Sequence, residues 1–345
     1  MKSIVSFRRR LDDIVAAEAA GRRRDVVVLA IDGIPVDLAR QHWTAASTIA
    51  LSSVFPTTSS TAWLSSLAGQ PVEVHGVPGV VFRDAAGELI NIYREATLPP
   101  NAGTTIFTDA LMHGYRAVAI AGDLQDLACG WRRALLRDAE IVWDNRFYTR
   151  ADGSYQPVHT GVLLNRIEGA IHEVLSAERR QPLLLWCFIE TDLHVHHFGY
   201  DPHVEDFLAG VDVMARRLAE AGAIVLAHSD HGLTPTRQSP QVVELFEALQ
   251  ADGAALGGAG RTRWIYPAPG RREETYEAAS RALNGHCRVE WADIFFAPGT
   301  AARAAVGDIV IVAESEAFLA SPGYTHEHGS LSERELFVPF SVWSG

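Results

Sequence analysis

Four short polar clusters in this chain combine carboxylates, imidazoles and hydroxyls at spacings suited to metal-assisted chemistry. Asp230-His231-Gly232 closes the run AHSDHG. A carboxylate beside an imidazole at a strand end can ligate a cation, and the glycine lets the backbone turn away sharply. The stretch Asp192-Leu193-His194-Val195-His196-His197-Phe198-Gly199 is denser. Asp192 and His196 are four residues apart, so they face the same way on a helix, or wrap one ion from a loop. Thr57-Thr58-Ser59-Ser60-Thr61 follows Pro56 and precedes the helical pattern Ala62 to Ala68. Hydroxyls there cap the free amides of a first helical turn, and those amides and the helix dipole also favour a phosphate oxygen. Capping uses one or two hydroxyls, and this run exceeds that. A hydroxyl so placed becomes a nucleophile when a bound metal lowers its pKa. His326-Glu327-His328-Gly329 is the fourth cluster. Taken singly, each also fits a turn or a polar surface loop.

These clusters need a scaffold that brings them together. Asp25 to Ile31 (DVVVLAI) is a continuous apolar run rich in valine, suited to a strand buried on both faces. It stops at Asp32-Gly33, and a helix-like segment follows Pro35. The pattern recurs: Tyr115 to Ala121 follows a helical stretch from near Thr105, Leu183 to Ile189 follows Leu163 to Glu178, and Ala223 to Ala227 follows Val204 to Ala221. Strands alternating with helices imply an α/β fold, with a central, mostly parallel sheet flanked by helices on both faces. Ligands of such sheets sit outside the carboxyl ends of the strands. Asp32, Asp192 and Asp230 each follow such a strand, so carboxylates distant in sequence converge on one site.

Gly253 to Gly260 (GAALGGAG) reads as a flexible interruption. Beyond it, Thr262 to Pro267, a helix from Glu273 to Leu283 and Cys287 to Glu290 read as a small βαβ-like insertion. The chain returns through Ile309 to Val312 and ends in a strand, Leu336 to Trp343. The expected organisation is an N-terminal helical extension over 1–24, a catalytic core over 25–253 and 311–345, and an inserted cap or subdomain over 254–310. Arg8-Arg9-Arg10 and Arg22-Arg23-Arg24 flank a short helix, Leu11 to Gly21, read as a solvated helix with charged ends.

The formal net charge of −12 over 345 residues argues against sequence-independent nucleic-acid binding. With 48% hydrophobic and 21% charged residues, the composition is that of a globular enzyme. No run is long enough for a membrane span, and MKSIVSFRRR lacks the apolar region of an export signal. Cys129, Cys187 and Cys287 are few and widely spaced, which fits a reducing, cytoplasmic compartment.

In chain order the clusters resemble the alkaline phosphatase superfamily, most closely its nucleotide pyrophosphatase/phosphodiesterase branch. The matching residues are Asp32, the segment VFPTTS with Ser59, and His75-Gly76. They continue with Asp192, His196 and Gly199, then Ser229-Asp230-His231-Gly232, and finally His328-Gly329. The resemblance implies an alkaline phosphatase-like fold and two zinc ions, with other divalent metals such as Mn²⁺ as alternatives. One ion would be held by Asp192, His196 and His328, the other by Asp32, Asp230 and His231 with the Ser59 oxygen as a further ligand. It implies Ser59 as the catalytic nucleophile, a phosphoryl-serine intermediate, and a small-molecule phosphorylated substrate, here an intracellular metabolite. Monoester and diester cleavage both fit, as does a phosphonate hydrolase or phosphotransferase; a non-catalytic metal-binding protein that kept the fold is the alternative from another class. A sulfatase motif is missing. The oligomeric state is left open.

The sequence departs from the branch at one point: Val80 stands where an asparagine usually supports a phosphate oxygen. Amides near Ser59 and Ser60, or an arginine such as Arg83, Arg261 or Arg263, are the expected substitutes. His75 reads as a turn residue, and His194 and His197 as supports for the ligands. Residues 254–310 and the stretch Phe82 to Pro100 are expected to shape the pocket. Trp63, Trp131, Trp143 and Trp264 could stack on an aromatic substrate group or fill the core.

Overall fold

The computed structural model describes residues 2–99, 101–142, 146–150 and 154–344. At its centre is the strand Val26–Ile31, buried along its whole length. Its aliphatic side chains, mostly β-branched, suit a strand with helices above and below. It pairs in parallel with Leu183–Ile189 on one side and Ile224–His228 on the other. The full eight-stranded order is Lys2–Ser3, Ser47–Ser52, Phe337–Trp343, Ile224–His228, Val26–Ile31, Leu183–Ile189, Arg116–Ile120, Glu140–Val142. Phe337–Trp343 runs antiparallel to both neighbours, while the other pairings are parallel. The sheet is therefore mostly parallel, as the alternating pattern implies.

Val26, Val28 and Ala30 face one apolar layer, built from the helices Phe7–Ala20, Ser59–Ala68, Ile106–Met112 and Gly130–Leu135. Val27, Leu29 and Ile31 face the other, built from Val36–His42, Thr160–Ser176 and Pro202–Glu220. The N-terminal segment belongs to the first layer and is no appendage. Phe7, Leu11 and Val15 recur every four residues and are buried on one helix face. Lys2–Ser3 pairs with the strand Ser47–Ser52. The basic runs are also not simply solvated: Arg8 pairs with Asp109 at 2.6 Å and donates to the carbonyls of Ala68 and Thr104, and Arg24 pairs with Glu18 at 2.8 Å.

A second, six-stranded sheet runs Cys287–Trp291, Ile309–Ala313, Thr262–Tyr266, Ala255–Ala259, Val81–Arg83, Leu89–Asn91. All its pairings are antiparallel, so it is not the expected βαβ unit. Ile309–Ala313 joins this sheet and does not return to the large one, and residues 81–91 belong to it as well. The sheet thus overruns 254–310 at both ends. Ile309 and Ile311 pack beneath the helices Pro240–Ala251 and Arg272–Ala282, which supplies the apolar reason for that placement. The glycine run is not a flexible interruption but the strand Ala255–Ala259. A Cβ at Gly257 would meet Trp264 Nε1 at 2.1 Å and the Val81 carbonyl at 2.6 Å, so glycine is required by close packing. Among the described residues, no helix is long and apolar enough to cross a membrane.

Candidate active site

Ile224–His228, Val26–Ile31 and Leu183–Ile189 are adjacent parallel strands, so their carboxyl ends lie side by side. Just beyond them come Asp230, Asp32 and Asp192, which lie 38 to 198 residues apart along the chain. Asp192 opens the helix Asp192–Phe198, which brings His196 Nε2 to 2.9 Å from Asp192 Oδ2. His328 arrives from the C-terminal side, with Nε2 4.0 Å from Asp192 Oδ2. Ligand atoms of Asp192, His196 and His328 lie within 4.8 Å of one another, as do those of Asp32, Asp192 and His231. Asp192 thus stands between the two sets. Asp230 borders the second, with Oδ2 3.3 Å from His231 Nε2.

The three imidazoles share one arrangement. Nδ1 of His196 lies 2.7 Å from the His326 carbonyl, that of His328 2.9 Å from the Thr57 carbonyl, and that of His231 3.3 Å from the Gly232 carbonyl. A proton on Nδ1 donates to the carbonyl and leaves Nε2 with a free lone pair facing the carboxylates, the tautomer a metal ligand needs. Asp192 Oδ1 and Asp230 Oδ2 are buried without a hydrogen bond. Buried carboxylate oxygens with no donor are costly, and a cation between them would remove the cost. The donor set therefore fits divalent metal ions.

Of the five consecutive hydroxyl residues, only Ser59 escapes full burial. Its Oγ lies 3.1 Å from His231 Nε2 and 3.4 Å from Asp32 Oδ1. Thr57 is committed elsewhere, donating to the Ser330 carbonyl and accepting from the Gly329 amide. Thr58 is the N-cap of the helix Ser59–Ala68, so Ser59 opens its first turn, where amides lack helical acceptors.

A family model, Type I phosphodiesterase / nucleotide pyrophosphatase, matches residues 26–331. The chain belongs to this family. It is thereby a phosphoester hydrolase of a metal-dependent family. No curated protein matches it by sequence. Phosphonoacetate hydrolase from Sinorhizobium meliloti 1021, solved with phosphonoacetate, shares the fold at TM-score 0.69 and 20% identity, over 93% of this chain and 90% of that one. Murine ectonucleotide pyrophosphatase / phosphodiesterase 5 does so at TM-score 0.64 and 19% identity, over 93% and 88%. The alkaline phosphatase-like fold expected from the motifs is thus the one observed.

Like charge is concentrated at this phosphodiesterase-family site. Burial, and after it the Asp192 charge, pushes the Asp32 carboxyl up to about 7. Burial and then Asp32 raise Asp230 and Glu190 well above the carboxylate range. Burial also acts to raise Asp192, but the His196 and His328 charges overcome it and hold Asp192 below that range. His196 answers in kind: burial lowers it, yet Asp192 lifts it to about 9. Burial, aided by His328, holds His231 neutral.

The ligands open into a pocket of about 420 Å³. Ser59, Asp32, Asp192, His196, His328 and Val80 line it, while Asp230, His231 and Ser60 lie buried behind the wall. None of the suggested arginines reaches it. Arg83 stacks on Tyr266, Arg261 faces Glu335, and Arg263 donates to the Thr262 carbonyl. Residues 254–310 contribute nothing to the described lining, because their strands turn to the second sheet. Of the stretch from Phe82, Tyr93 contributes, and Pro100 lies outside the described residues. Trp63 and Trp131 are buried yet reach the wall, Trp264 belongs to the second sheet, and Trp143 lies outside the described residues. His75 is not a turn residue but the buried last residue of the short helix Val72–His75, bonded to Ser65 and the Val77 amide. His194 meets Tyr155 and Asp201, and His197 meets the Gly323 carbonyl.

Sequence reasoning missed Tyr93, Asp123, Glu190 and Tyr324 on the wall. Asp123 and Glu190 each follow a buried strand, the signal that picks out Asp32, and could have been found by it. Sequence reasoning also gave Trp63 no chemical role. One helical turn after Ser59, its Nε1 donates to Asp32 Oδ2 at 2.8 Å and fixes which oxygen faces Ser59. Trp63→Phe keeps the ring and removes the donor. We expect metal affinity, measured by chelator competition, to fall about ten- to a hundredfold, as loss of a partner behind a ligand usually gives.

Proposed function

We propose that the chain is a two-zinc phosphohydrolase that cleaves a phosphate ester through a phosphoryl-serine intermediate on Ser59. The observation that carries this reading is the partly exposed Ser59 hydroxyl beside His231 and Asp32, where two converging donor sets share Asp192. Asp192, His196 and His328 would hold one ion, and Asp32, Asp230, His231 and the Ser59 oxygen the other. Mixed carboxylate and imidazole donors suit zinc, with Mn²⁺ as an alternative. Ions bound there supply Lewis acidity, lowering the pKa of a hydroxyl and taking up charge on phosphoryl oxygens.

Ser59 Oγ, once deprotonated, forms a bond to phosphorus as the bond to the leaving-group oxygen breaks. The alcohol departs with a proton. Water then cleaves the Ser59–phosphorus bond, releasing phosphate or a monoester and restoring the hydroxyl. Asp32, held by Trp63, and His231, held by the Gly232 carbonyl, keep Ser59 aligned through both steps. The three cysteines are free and buried, which supports a reducing, cytoplasmic setting and an intracellular phosphorylated metabolite as substrate.

An ester with an uncharged leaving group is favoured over a carboxylate-bearing phosphonate. Among the described lining residues there is no Lys or Arg to pair with a carboxylate on the leaving group. Zinc-loaded enzyme should hydrolyse a p-nitrophenyl phosphate monoester or diester at least about tenfold more efficiently, in kcat/KM, than phosphonoacetate. Phosphonoacetate turned over as well as both esters would reverse the preference.

A further inference from the structure

A phosphoryl group in transfer to Ser59 carries a non-bridging oxygen away from both proposed ion sites, and Val80 offers it no donor. The described lining contains no Lys, Arg, Asn or Gln. Two indole N–H groups are already used, Trp63 on Asp32 and Trp131 on the Ser60 carbonyl, and the Thr149 hydroxyl donates to Asp123. Tyr324 stacks on His196, on the side of the first ligand set.

Tyr93 lies on the side of Val80. The pairing Val81 with Asn91 continues as the Ile92 amide donating to the Val80 carbonyl at 2.9 Å, which sets Tyr93 beside the Val80 backbone. Its ring packs edge-on against Trp131, with centroids 5.3 Å apart. Tyr93 shares the pocket wall with Thr58, Ser59 and Val80, and among the described residues the nearby Ser60 hydroxyl has no hydrogen-bond partner.

We propose that Tyr93 is a catalytic residue whose phenolic O–H donates a hydrogen bond to this non-bridging oxygen, the task that the sequence resemblance would assign to an asparagine at position 80. The proposal rests on the phosphoryl-serine reading. Burial, and then the charges of Asp32, Glu190 and Asp230, push the phenol well above its ordinary range, so it remains a donor at any working pH. A fixed donor aimed at developing charge acts mainly in the transition state.

Tyr93→Phe keeps the ring on Trp131 and removes only the hydroxyl. In the zinc-loaded enzyme, kcat on a p-nitrophenyl ester should fall about a hundredfold with KM within about threefold. Orthovanadate, which mimics the five-coordinate phosphorus, should bind at least about tenfold more weakly by tryptophan fluorescence, while inorganic phosphate binds nearly as before. Adding Val80→Asn to Tyr93→Phe should recover at least about tenfold of the loss. Unchanged vanadate binding in Tyr93→Phe, whatever its kcat, would overturn the role, and so would a double variant with no recovery. Vanadate binding is read without turnover, so a wild-type enzyme inactive on every ester would count against the phosphoryl-serine reading alone.

Discussion

Replacing Ser59 by alanine is expected to lower kcat on p-nitrophenyl esters by at least about a hundredfold, with zinc content unchanged within about twofold. The size follows from what is lost. In the proposed site, Asp32, Asp192, Asp230 and the three histidines would still hold the ions and the substrate's phosphate, so binding would survive. The atom proposed to form the bond to phosphorus would be gone. Its neighbours are worse placed, because Ser60 lies buried behind the wall, Thr58 is buried at the helix N-cap, and Thr57 is tied to Ser330 and Gly329. Steady-state kinetics with metal analysis on the same samples checks this. Turnover within about threefold of wild type would remove the covalent role from Ser59.

Removal of metal is the second large effect, and its pH dependence is specific. In the metal-free protein, Asp32 titrates near 7, above its usual 3.8, so the folded state keeps a proton that the unfolded state has lost. Its contribution to stability therefore falls as pH rises from about 4 to about 7. His196, lifted from 6.5 to about 9, stabilises fully below 6.5 and loses that contribution as pH rises through 9. Ions bind the deprotonated forms of both groups. The difference in Tm between zinc-loaded and chelated enzyme should thus be small near pH 5 and grow towards pH 9. Free metal at a hundred times its Kd adds about 2.7 kcal/mol, a rise on the order of 5 °C for a chain of this size. Scanning calorimetry at several pH values checks it. Chelation that leaves both Tm and activity intact at pH 8 would contradict the metal site.

Much of this architecture is legible in the sequence, and the parts that are not share a physical reason. Asp32, Asp192 and Asp230 can be read because each ends a buried apolar run, and parallel strands deliver such residues to one edge. Ser59 is singled out among five hydroxyls by its place after VFP, and burial of the other four supplies the physical distinction. Asp192 lying between both donor sets is a matter of distance, which spacing along the chain does not encode. The second sheet escapes because Val81–Arg83 pairs with Ala255–Ala259 far along the chain, and the glycines that permit this close contact look locally like a loop. Tyr93 escapes for a related reason. Its position depends on the strand register with Val80, and nothing in its local pattern marks a site.

The central claim is a phosphoryl group carried on Ser59. Zinc-loaded wild type should be mixed with a p-nitrophenyl phosphate monoester, quenched in acid within the first turnover, and digested for peptide mass spectrometry. A phosphate on the peptide containing Ser59, localised to Ser59 and missing from Ser59→Ala, is the predicted result. Product released in the first turnover with no phosphopeptide, or phosphate localised to Thr58 or Ser60, would contradict it.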